Sequence, residues 1–338
     1  MKLNEQIYSY FSVKKESDDD FFISLPPLQE VKEIGKGLQN VNYELLFEGN
    51  LKYILRFNTW KGEDVYGEVV SIRDEFEILK ALESYCIAPK VFYCDTTRKA
   101  LPFDFLIEEY LYNDGEKTIE DFENSVKVVK KIHSLTLDDK ARKLFKRSPD
   151  APHKINRYKR WQEIILNESG DPLALLLETN KEVYFKYVNE HASLLEGDTP
   201  LHCDLFPENF LHYNNSWFLI DWQTPGLGNK YWDIAFLLWN FSYQFSLGRE
   251  LTNEEEKKII SAYFEDEGDQ KVALQEIKKL LPILYIDLFQ FLLYKSVVFK
   301  REKLPLWLRD FLQKRLEVAK DLILKEKTVS YWFLQMKR

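Results

Sequence analysis

The sequence contains only three cysteines, and their arrangement excludes most cysteine chemistry. Cys86, Cys94 and Cys203 are odd in number and show no C-x-x-C spacing. Disulfide frameworks and structural zinc sites need pairs or clusters of cysteines. We therefore expect neither of them, and we expect the protein to belong to a reducing compartment, the cytoplasm.

Long apolar runs are also absent. The longest, residues 280–294, is interrupted by Pro282 and Asp287. It falls short of the roughly 20 apolar residues that a membrane-spanning helix needs. The first residues form no apolar signal segment, and no repeat or low-complexity tract stands out. We expect no membrane insertion.

Positive charge is the minority charge in this chain. Lys and Arg number 47 against 55 Asp and Glu, which gives a net charge of −8. Such a balance disfavours broad affinity for nucleic acids or anionic membranes and fits a cationic or neutral ligand. The 338 residues, 45% of them hydrophobic, exceed one ordinary domain and suit two lobes. Oligomeric state does not follow from these features.

A β-hairpin is predicted within residues 201–223. Two apolar runs, residues 210–212 and 217–220, flank a polar connection that contains Asn214 and Asn215. Asparagine tolerates the positive φ angles of tight turns. The pattern therefore favours two short strands joined by an asparagine turn.

Three side chains with hard oxygen atoms lie at the mouth of this hairpin. They are Asp204, Asn209 and Asp221. Mg²⁺ prefers carboxylate and amide oxygens and completes its shell with phosphate oxygens. The set favours magnesium-dependent phosphate chemistry. The alternative is that the two aspartates cap turns, which is a common role for this residue.

The spacing of these residues is informative. Residues 202–209 read His-Cys-Asp-Leu-Phe-Pro-Glu-Asn, which is the H-x-D-x-x-x-x-N pattern of kinase catalytic loops. Residues 220–223 read Ile-Asp-Trp-Gln, where protein kinases have D-F-G. Residues 226–235 contain glycine followed by Trp-Asp-Ile-Ala. Together these motifs resemble the aminoglycoside phosphotransferase and choline kinase families, which share the protein-kinase-like fold and phosphorylate small molecules.

The resemblance implies a two-lobed α+β protein. We expect a short helix and an irregular segment at residues 1–30. A nucleotide-binding lobe with an antiparallel sheet and one helix would follow at residues 31–111. A larger, mostly helical lobe would occupy residues 112–338 and carry the hairpin. D-F-G and A-P-E segments are absent, which argues against a protein kinase.

The resemblance also assigns roles around the hairpin. Asp204 would accept or orient the proton of the acceptor hydroxyl, and Asn209 and Asp221 would bind Mg²⁺. His202 is interpreted as a core histidine that supports the loop. Asp233 precedes an apolar helical stretch, so we expect it to be a helix cap.

A glycine-containing segment precedes the first predicted hairpin of the N-terminal lobe, with strands at residues 44–47 and 52–57. Glycines at a strand end let backbone amides approach phosphate. The segment resembles the G-G-x-T-N-x-N-Y loop of bacterial choline and ethanolamine kinases, which implies that Gly37, Gln39 and Asn40 contact the nucleotide. Gln39 stands where that pattern usually has Ser or Thr. The alternative is a plain glycine turn.

Arg56 lies on the second strand of this hairpin, where protein kinases place a phosphate-binding lysine. Its planar fork suits phosphate. Residues 68–84 are predicted to be helical, with Val69, Ile72 and three further apolar residues on one stripe. Glu75 matches the helix glutamate that pairs with the phosphate-binding cation in the family, so we predict an Arg56–Glu75 ion pair. Glu77 is the alternative partner.

Strands are predicted from residue 87 and over residues 103–111. In kinase-like folds the second of these leads into the hinge, where backbone groups meet the adenine. The order along the chain therefore assigns Glu109, Tyr110 and Leu111 to the hinge. The second lobe is predicted to contain helices at residues 118–135, 157–167, 181–195, 233–246, 252–265, 269–299 and 305–327, with a capping box at Thr252 and Glu255.

The acceptor is the least constrained part of the prediction. Choline-type sites use aromatic faces and carboxylates around a cation. Candidate substrate residues are Trp232, Trp239 and Asp287, with ordinary core packing as the alternative; further aromatic candidates are Tyr243, Tyr294, Trp307 and Trp332. Gln223 replaces the Glu that often follows the metal-binding Asp in choline kinases.

The sequence therefore predicts an ATP- and Mg²⁺-dependent kinase for a hydroxyl of a small molecule. An amino alcohol such as choline or ethanolamine is the first expectation. An aminoglycoside or sugar is the alternative acceptor, and a nucleotide-binding protein without catalysis is the alternative class. ATP and GTP are not distinguished as donors.

Overall fold

A computed structural model describes residues 3–14, 19–37, 39–59, 62–69, 71–112, 119–301, 310, 312–318 and 336. Trp307, Trp332 and most of the helix predicted at 305–327 lie outside these residues. The chain forms two units: Met1–Glu63, Val69–Gly115 and Leu211–Gln223 make the first, and Asp64–Glu68, Glu116–Phe210 and Thr224–Arg338 make the second. Compared with the predicted boundaries, Asp64–Glu68 groups with the second unit, Leu211–Gln223 groups with the first, and the first unit runs to Gly115.

A five-stranded antiparallel sheet of order β1-β2-β3-β5-β4 dominates the first unit. Its strands are β1 (Leu28–Lys36), β2 (Asn40–Phe47), β3 (Leu51–Asn58), β4 (Val91–Asp95) and β5 (Asp104–Glu109). The predicted hairpin is β2–β3, whose turn uses positive φ at Gly49 (79°) and Asn50 (63°). Strand β4 begins at Val91, four residues after the predicted start.

Strand β3 is the central strand, so its side chains are the best sheltered. Arg56 lies opposite Asn42 on β2 and Leu106 on β5. Glu108 lies opposite Ile54, two residues before Arg56 on β3. Since side chains alternate between sheet faces, Arg56 and Glu108 project from the same face.

The N-terminal segment packs on this sheet through aromatic side chains. It contains α1 (Leu3–Lys14) and α2 (Asp20–Ser24). The ring of Phe11 lies 5.6 Å from that of Phe47, and the ring of Tyr10 lies 5.4 Å from that of Phe105, both in edge-to-face geometry. Edge-to-face pairs of buried rings add to the burial energy.

Helix α3 (Ile72–Leu82) completes the first unit and carries Glu75. The Ser71 hydroxyl caps it by accepting from the amide of Asp74 at 3.3 Å. The helix begins four residues later than predicted. Val69 was wrongly placed on its apolar stripe, because Val69 precedes the cap, bridges to Glu63 and is 60% exposed.

The second unit is mostly helical. Two short strands, β6 (Thr199–Leu201) and β9 (Gly226–Gly228), pair antiparallel within it. Its helices are α4 (Ile119–His133), α5 (Asp139–Arg142), α6 (Ala151–Glu168), α7 (Pro172–Thr179), α8 (Lys181–Glu190), α9 (Lys230–Leu237), α10 (Asn240–Leu247), α11 (Asn253–Tyr263) and α12 (Glu267–Arg301). The capping box at Thr252 and Glu255 is confirmed. The helix predicted at 233–246 is instead two helices, α9 and α10, and α5 and α7 were not predicted.

Helix α12 contains the longest apolar stretch of the described residues. By length and composition alone, Glu267–Lys300 is long and apolar enough to cross a membrane, and its mean hydropathy is 1.4. The shorter run predicted from the sequence, residues 280–294, was not long enough. In the structure 72% of that apolar window is buried against the rest of the protein. This burial is what the core helix of a folded unit shows.

The predicted hairpin of the 201–223 stretch is present. Its strands are β7 (Phe210–Tyr213) and β8 (Ser216–Leu219). Asn214 and Asn215 have φ angles of 48° and 57°, the left-handed conformation of a two-residue turn. The backbone amide of Leu219 donates to the carbonyl of Ile87 at 2.8 Å, which fixes the start of the segment that carries Asp221.

The turn gives a direct test of this local geometry. Asn215→Gly should leave stability unchanged or raise it slightly, because glycine adopts positive φ freely. Asn215→Val should lower it by about 1–2 kcal/mol, because a Cβ-branched residue is strained there. Thermal unfolding of the two variants measures the difference. Equal melting temperatures for both would contradict the described turn.

Candidate active site

A buried arginine organises the polar residues of the first unit. Arg56 is 4% exposed. Its Nη2 lies 2.5 Å from Oδ1 of Asp221, and its Nε lies 3.3 Å from Oε1 of Glu75. The predicted Arg56–Glu75 ion pair is therefore present, whereas the alternative partner Glu77 is only half-buried on the same helix. One guanidinium thus joins a helix carboxylate to a predicted metal ligand.

Two amides complete this cluster. The Nε2 of Gln223 donates to Oε2 of Glu75 at 3.1 Å. The Asn40 side chain, oriented with its oxygen towards Arg56, accepts from Nη2 at 2.8 Å. Both amides are more than 90% buried. They restrict Glu75 and Arg56 to one arrangement, since a buried polar group without a partner is costly.

Negative charge exceeds positive charge around Arg56. Burial alone would lower the pKa of Arg56, but Asp221 and Glu75 raise it above its ordinary value. Burial raises the pKa of Glu75 to about 7 despite the opposing effect of Arg56. Burial, together with Glu75 and Asp221, raises the pKa of Glu108 to about 8. One arginine cannot neutralise three ionised carboxylates, so near neutral pH the cluster keeps protons on Glu75 and Glu108, and a bound cation would compete with those protons.

Glu108 was not predicted as a site residue. It is 8% exposed and lies on β5 next to the predicted hinge. One feature of the sequence could have indicated it: Glu108 directly follows the apolar residues 105–107 of the same predicted strand. That signal does not reveal which neighbours the side chain meets, because the pairing of β3 with β5 joins residues far apart in the chain.

The glycine segment between β1 and β2 makes a tight reversal. The amide of Gly37 donates to the carbonyl of Asn40 at 2.8 Å, so this amide already has a partner. The carbonyl of Gln39 accepts from the amide of Thr59 at 2.9 Å. A Cβ on Gly37 would meet nothing closer than 3.9 Å, so the fold itself does not require glycine there.

The predicted hinge follows directly from β5. Glu109 is the last residue of this strand, and its carboxylate accepts from the amide of Lys90 at 3.2 Å. The ammonium of Lys52 lies 4.9 Å from the centre of the Tyr110 ring. Leu111 is 9% exposed. The adenine role of these three residues stays a prediction.

Asp204 and Asn209 lie together in the second unit. The Nδ2 of Asn209 donates to the backbone carbonyl of Asp204 at 2.8 Å and to its Oδ2 at 3.3 Å. A short 3₁₀ turn, Pro207–Asn209, brings the Asn209 side chain back to Asp204. The Asn209 amide thus points its nitrogen at Asp204 and keeps its oxygen for another partner. Asp204 is half-buried.

The backbone before Asp204 is held by Asp233, whose predicted role as a helix cap is wrong. Asn229 caps α9, because its side chain accepts from the amide of Tyr231 at 3.0 Å. Asp233 is fully buried, and its two oxygens accept from the amides of His202 and Cys203, each at 2.8 Å. A carboxylate that takes two consecutive amides fixes the path of a loop.

Two of the predicted substrate residues are already paired with residues of this chain. Asp287 is 2% exposed and pairs at 2.5 Å with Lys154 and with Arg157. The Lys154 ammonium lies 3.8 Å from the centre of a Trp232 ring. Burial lowers the pKa of Lys154 to about 8. An internal cation therefore occupies the aromatic and carboxylate pair that was expected to bind a substrate cation.

Trp239 has different surroundings. It is 2% exposed, and its ring lies 5.9 Å from that of Phe206, two residues after Asp204. Within the described part of the chain, its indole Nε1 has no hydrogen-bond partner. Of the three predicted substrate residues, Trp239 is therefore the one that combines proximity to the Asp204 loop with an unused polar group.

The oxygens of Asp221 and Asn209 are each of a kind that Mg²⁺ accepts, and a magnesium site formed by them stays a prediction. No group of three or more His, Cys, Asp or Glu side chains in the described ranges is arranged to hold a metal ion. Mg²⁺ in nucleotide-dependent enzymes is commonly bound by one or two protein oxygens together with phosphates and water. Asp221, 34% exposed, and the amide oxygen of Asn209 are donors of this kind.

These features define a class, the small-molecule kinases with a protein-kinase-like fold. The family model of the phosphotransferase enzyme family (APH) matches residues 30–273, and the chain belongs to this family. Its members transfer phosphate, so the protein is a phosphotransferase. The fold class predicted from the sequence is confirmed.

One curated relative is a LicA homolog protein from Mycoplasma capricolum. It is 28% identical over 104 residues, which cover 30% of this chain and 40% of that relative. The matched stretch thus spans less than half of the relative's length.

Several solved structures have the same fold. Plasmodium vivax ethanolamine kinase superposes with a TM-score of 0.68 at 17% identity and covers 94% of this chain and 89% of its own. Choline kinase LicA from Streptococcus pneumoniae gives 0.61 at 19%, covering 93% and 99%. The streptomycin–ATP ternary complex of APH(2'')-IIa gives 0.61 at 17%, covering 91% and 99%. At these identities the likeness shows the fold alone.

The buried carboxyl of Glu108 predicts a pH effect on stability. Its pKa rises from 4.5 in a model compound to about 8 in the fold. The contribution of a raised carboxyl pKa to folding stability is fully present below pH 4.5, and it is lost as the pH rises through about 8. We therefore compare the free energy of unfolding of Glu108→Gln with that of wild type. The difference between them should be about 1–3 kcal/mol more favourable to the variant at pH 9 than at pH 5.

Chemical denaturation of both proteins at the two pH values measures this difference. The control is Glu48→Gln, the same substitution on an exposed residue of the same unit. It should follow wild type at both pH values. A Glu108→Gln difference that is independent of pH would show that the buried carboxyl is not held in its neutral form.

Proposed function

We propose that the protein is an ATP- and Mg²⁺-dependent kinase that phosphorylates a hydroxyl of a small molecule, with an amino alcohol such as choline or ethanolamine as the acceptor. The observation that carries the proposal is the position of Arg56 between Glu75 and Asp221. This arrangement unites a phosphate-binding cation with a metal-binding carboxylate, which is what phosphoryl transfer from a nucleotide requires.

Nucleotide binding would use the first unit. Arg56 would contact the phosphates, and Glu75 would hold its guanidinium in place. The excess of carboxylates around Arg56 would favour a bound cation, which the nucleotide's magnesium would supply. Gly37, Gln39 and Asn40 would lie over the phosphates, while Glu109, Tyr110 and Leu111 would meet the adenine.

Magnesium would be held by Asp221 and Asn209, and sharing of one ion by these two residues is part of the proposal. When bound, the ion would neutralise charge on the phosphate oxygens. The Asn209 amide supports this role, because its nitrogen is committed to Asp204 and its oxygen is the group left for a metal. Asp204 and Asn209 would then be set by the same turn.

Asp204 would act on the acceptor. Its carboxylate would orient the hydroxyl and accept its proton while the hydroxyl oxygen bonds to the γ-phosphorus. The bond from that phosphorus to the bridging oxygen breaks, and ADP leaves with the electron pair. Most of the acceleration would come from positioning and charge neutralisation rather than from base strength.

The acceptor class is supported by charge and by aromatic surroundings. The chain carries a net charge of −8. Trp239 lies near the Asp204 loop, and an indole face attracts quaternary and primary ammonium groups. The similar folds of an ethanolamine kinase and a choline kinase agree with this acceptor. The similar fold of APH(2'')-IIa with streptomycin keeps an aminoglycoside as the second candidate.

Replacing Asp204 tests the chemical role. Asp204→Asn should lower the transfer rate by roughly 10²–10⁴-fold, because the hydroxyl loses its proton acceptor. Nucleotide affinity should stay near the wild-type value. The measurement is transfer of γ-labelled phosphate to a panel of choline, ethanolamine, other amino alcohols, aminoglycosides and sugars, beside direct titration with Mg-ATP.

The matched control is Asp269→Asn, the same change at an exposed position of the same unit. It should transfer phosphate at the wild-type rate. Normal turnover by Asp204→Asn would refute the proton-acceptor role. Tight Mg-ATP binding by wild type without transfer to any compound, or to water, would favour a nucleotide-binding protein that is not an enzyme.

Replacing Trp239 tests the acceptor site. Trp239→Phe keeps an aromatic ring but weakens the attraction for a cation, so the KM for the acceptor should rise by roughly 3- to 30-fold. The KM for ATP should not change. Steady-state kinetics with the best acceptor of the panel separate the two constants. A proportional rise in both would indicate general damage to the fold, and no rise would remove Trp239 from the site.

A further inference from the structure

A short piece of chain from the first half of the sequence belongs to the second unit. Asp64–Glu68 lies between β3 and α3 in the sequence, yet it groups with the helical unit. The segment closes on itself through a bond from the Asp64 amide to the Glu68 carbonyl at 2.8 Å. The Asp64 carboxylate also accepts from the amides of Tyr66 and Glu68, at 2.8 and 3.1 Å. We call Asp64–Glu68 the docked loop.

Basic side chains of helix α6 and of the connection before it hold the docked loop. Arg147 donates to the Asp64 carboxylate at 2.9 Å, with both side chains buried. His153 bonds to the carbonyl of Tyr66, and Arg157 donates to that of Val65. Gly67 has a φ of 79°, and a Cβ there would lie 2.6 Å from Arg160. The loop is therefore fitted to helix α6 and to the connection before it, which supply all four of these basic side chains.

The centre of the docked loop is the Tyr66 hydroxyl. Tyr66 is 1% exposed. Its hydroxyl donates to the carbonyl of Cys203 at 2.9 Å and accepts from the indole Nε1 of Trp232 at 2.9 Å. Burial raises the pKa of Tyr66 well above its usual value, so the hydroxyl remains a donor at any physiological pH.

Cys203 is the residue directly before Asp204, and its backbone is strained. Its φ is 65°, in the left-handed region that residues other than glycine rarely adopt. Asp233 accepts from its amide, and Tyr66 donates to its carbonyl. The residue is thus fixed at both of its backbone polar groups. Strained conformations of this kind persist only when the surroundings enforce them.

We propose that Tyr66, which belongs to the docked loop, is a positioning residue for Asp204. The inference rests on the proposed function of Asp204. By holding the Cys203 carbonyl, the Tyr66 hydroxyl fixes the peptide that links Cys203 to Asp204 and so sets the direction of the Asp204 side chain. If only Asp233 held Cys203, through its amide, the next peptide could still rotate about the Cα–C bond of Cys203. Tyr66 does not contact the reacting groups itself.

Tyr66→Phe tests this role, because it removes the hydroxyl and keeps the ring. The kcat should fall by roughly tenfold or more, while the KM for ATP and direct nucleotide affinity stay within about twofold. The matched control is Tyr158→Phe. Tyr158 is equally buried in the same unit, and its hydroxyl donates to a carbonyl, that of Leu177, at 2.9 Å. Tyr66→Phe loses two buried hydrogen bonds, to the Cys203 carbonyl and from Trp232, and Tyr158→Phe loses one, but only Tyr66→Phe releases a bond to the Asp204 loop.

A second readout does not depend on activity. Cys203 is a buried free thiol beside the Tyr66 contact, and replacing Cys86 and Cys94 with serine leaves it as the single reactive group. In that background a thiol reagent should label Cys203 roughly tenfold faster in Tyr66→Phe than in wild type, because the loop opens more often. Tyr158→Phe should label like wild type.

The outcomes separate the two hypotheses. A loss of kcat with faster labelling, both confined to Tyr66→Phe, supports the positioning role. Equal kcat values for Tyr66→Phe and Tyr158→Phe, or equal labelling rates, overturn it. If wild type transfers phosphate neither to an acceptor nor to water, the proposed function fails. The labelling rates then still decide whether Tyr66 holds the Cys203 backbone.

Discussion

Burial of the Arg56 guanidinium is the constraint on which the first unit depends. A charged group that is 4% exposed requires carboxylates, and Glu75 and Asp221 provide them from α3 and from the segment after β8. Removing either partner would leave an uncompensated buried charge, which costs far more than a surface ion pair contributes. The ion pairs therefore tie strand, helix and hairpin segment into one arrangement.

In the second unit the group that needs support from its surroundings is the backbone of Cys203 and not a buried charged side chain. Asp204 follows a residue with a φ of 65°, so its loop needs external support. Asp233 and Tyr66 provide it from α9 and from the docked loop. Asp233 in turn meets His133, whose Nε2 lies 3.2 Å from Oδ2. The geometry of one half-buried carboxylate thus depends on residues spread over 100 positions, from His133 to Asp233, and on a tyrosine further upstream.

The sequence was sufficient for features that arise locally. The asparagine turn and the Thr252 capping box follow from turn chemistry and capping chemistry, whereas the pairing of Glu75 with Arg56 was predicted from the resemblance to the family. It was insufficient where the partner comes from elsewhere in the chain. Nothing near Asp233 in the sequence indicates that it binds the amides of His202 and Cys203. Likewise, nothing near Trp232 indicates that Lys154 covers its ring.

Gln223 shows how a departure from a family pattern can have a local cause. Choline kinases often have Glu after the metal-binding Asp, which would weaken an assignment to that group. In this chain the Gln223 amide donates to Glu75, beside Glu108 and Asp221. A glutamate there would add a fourth carboxylate around one arginine and could pair with Glu75 only while one of the two carboxyls keeps a proton, whereas the amide donates without one. The amide is therefore explained by the charge balance around Arg56. Its presence does not count against an amino alcohol as the acceptor.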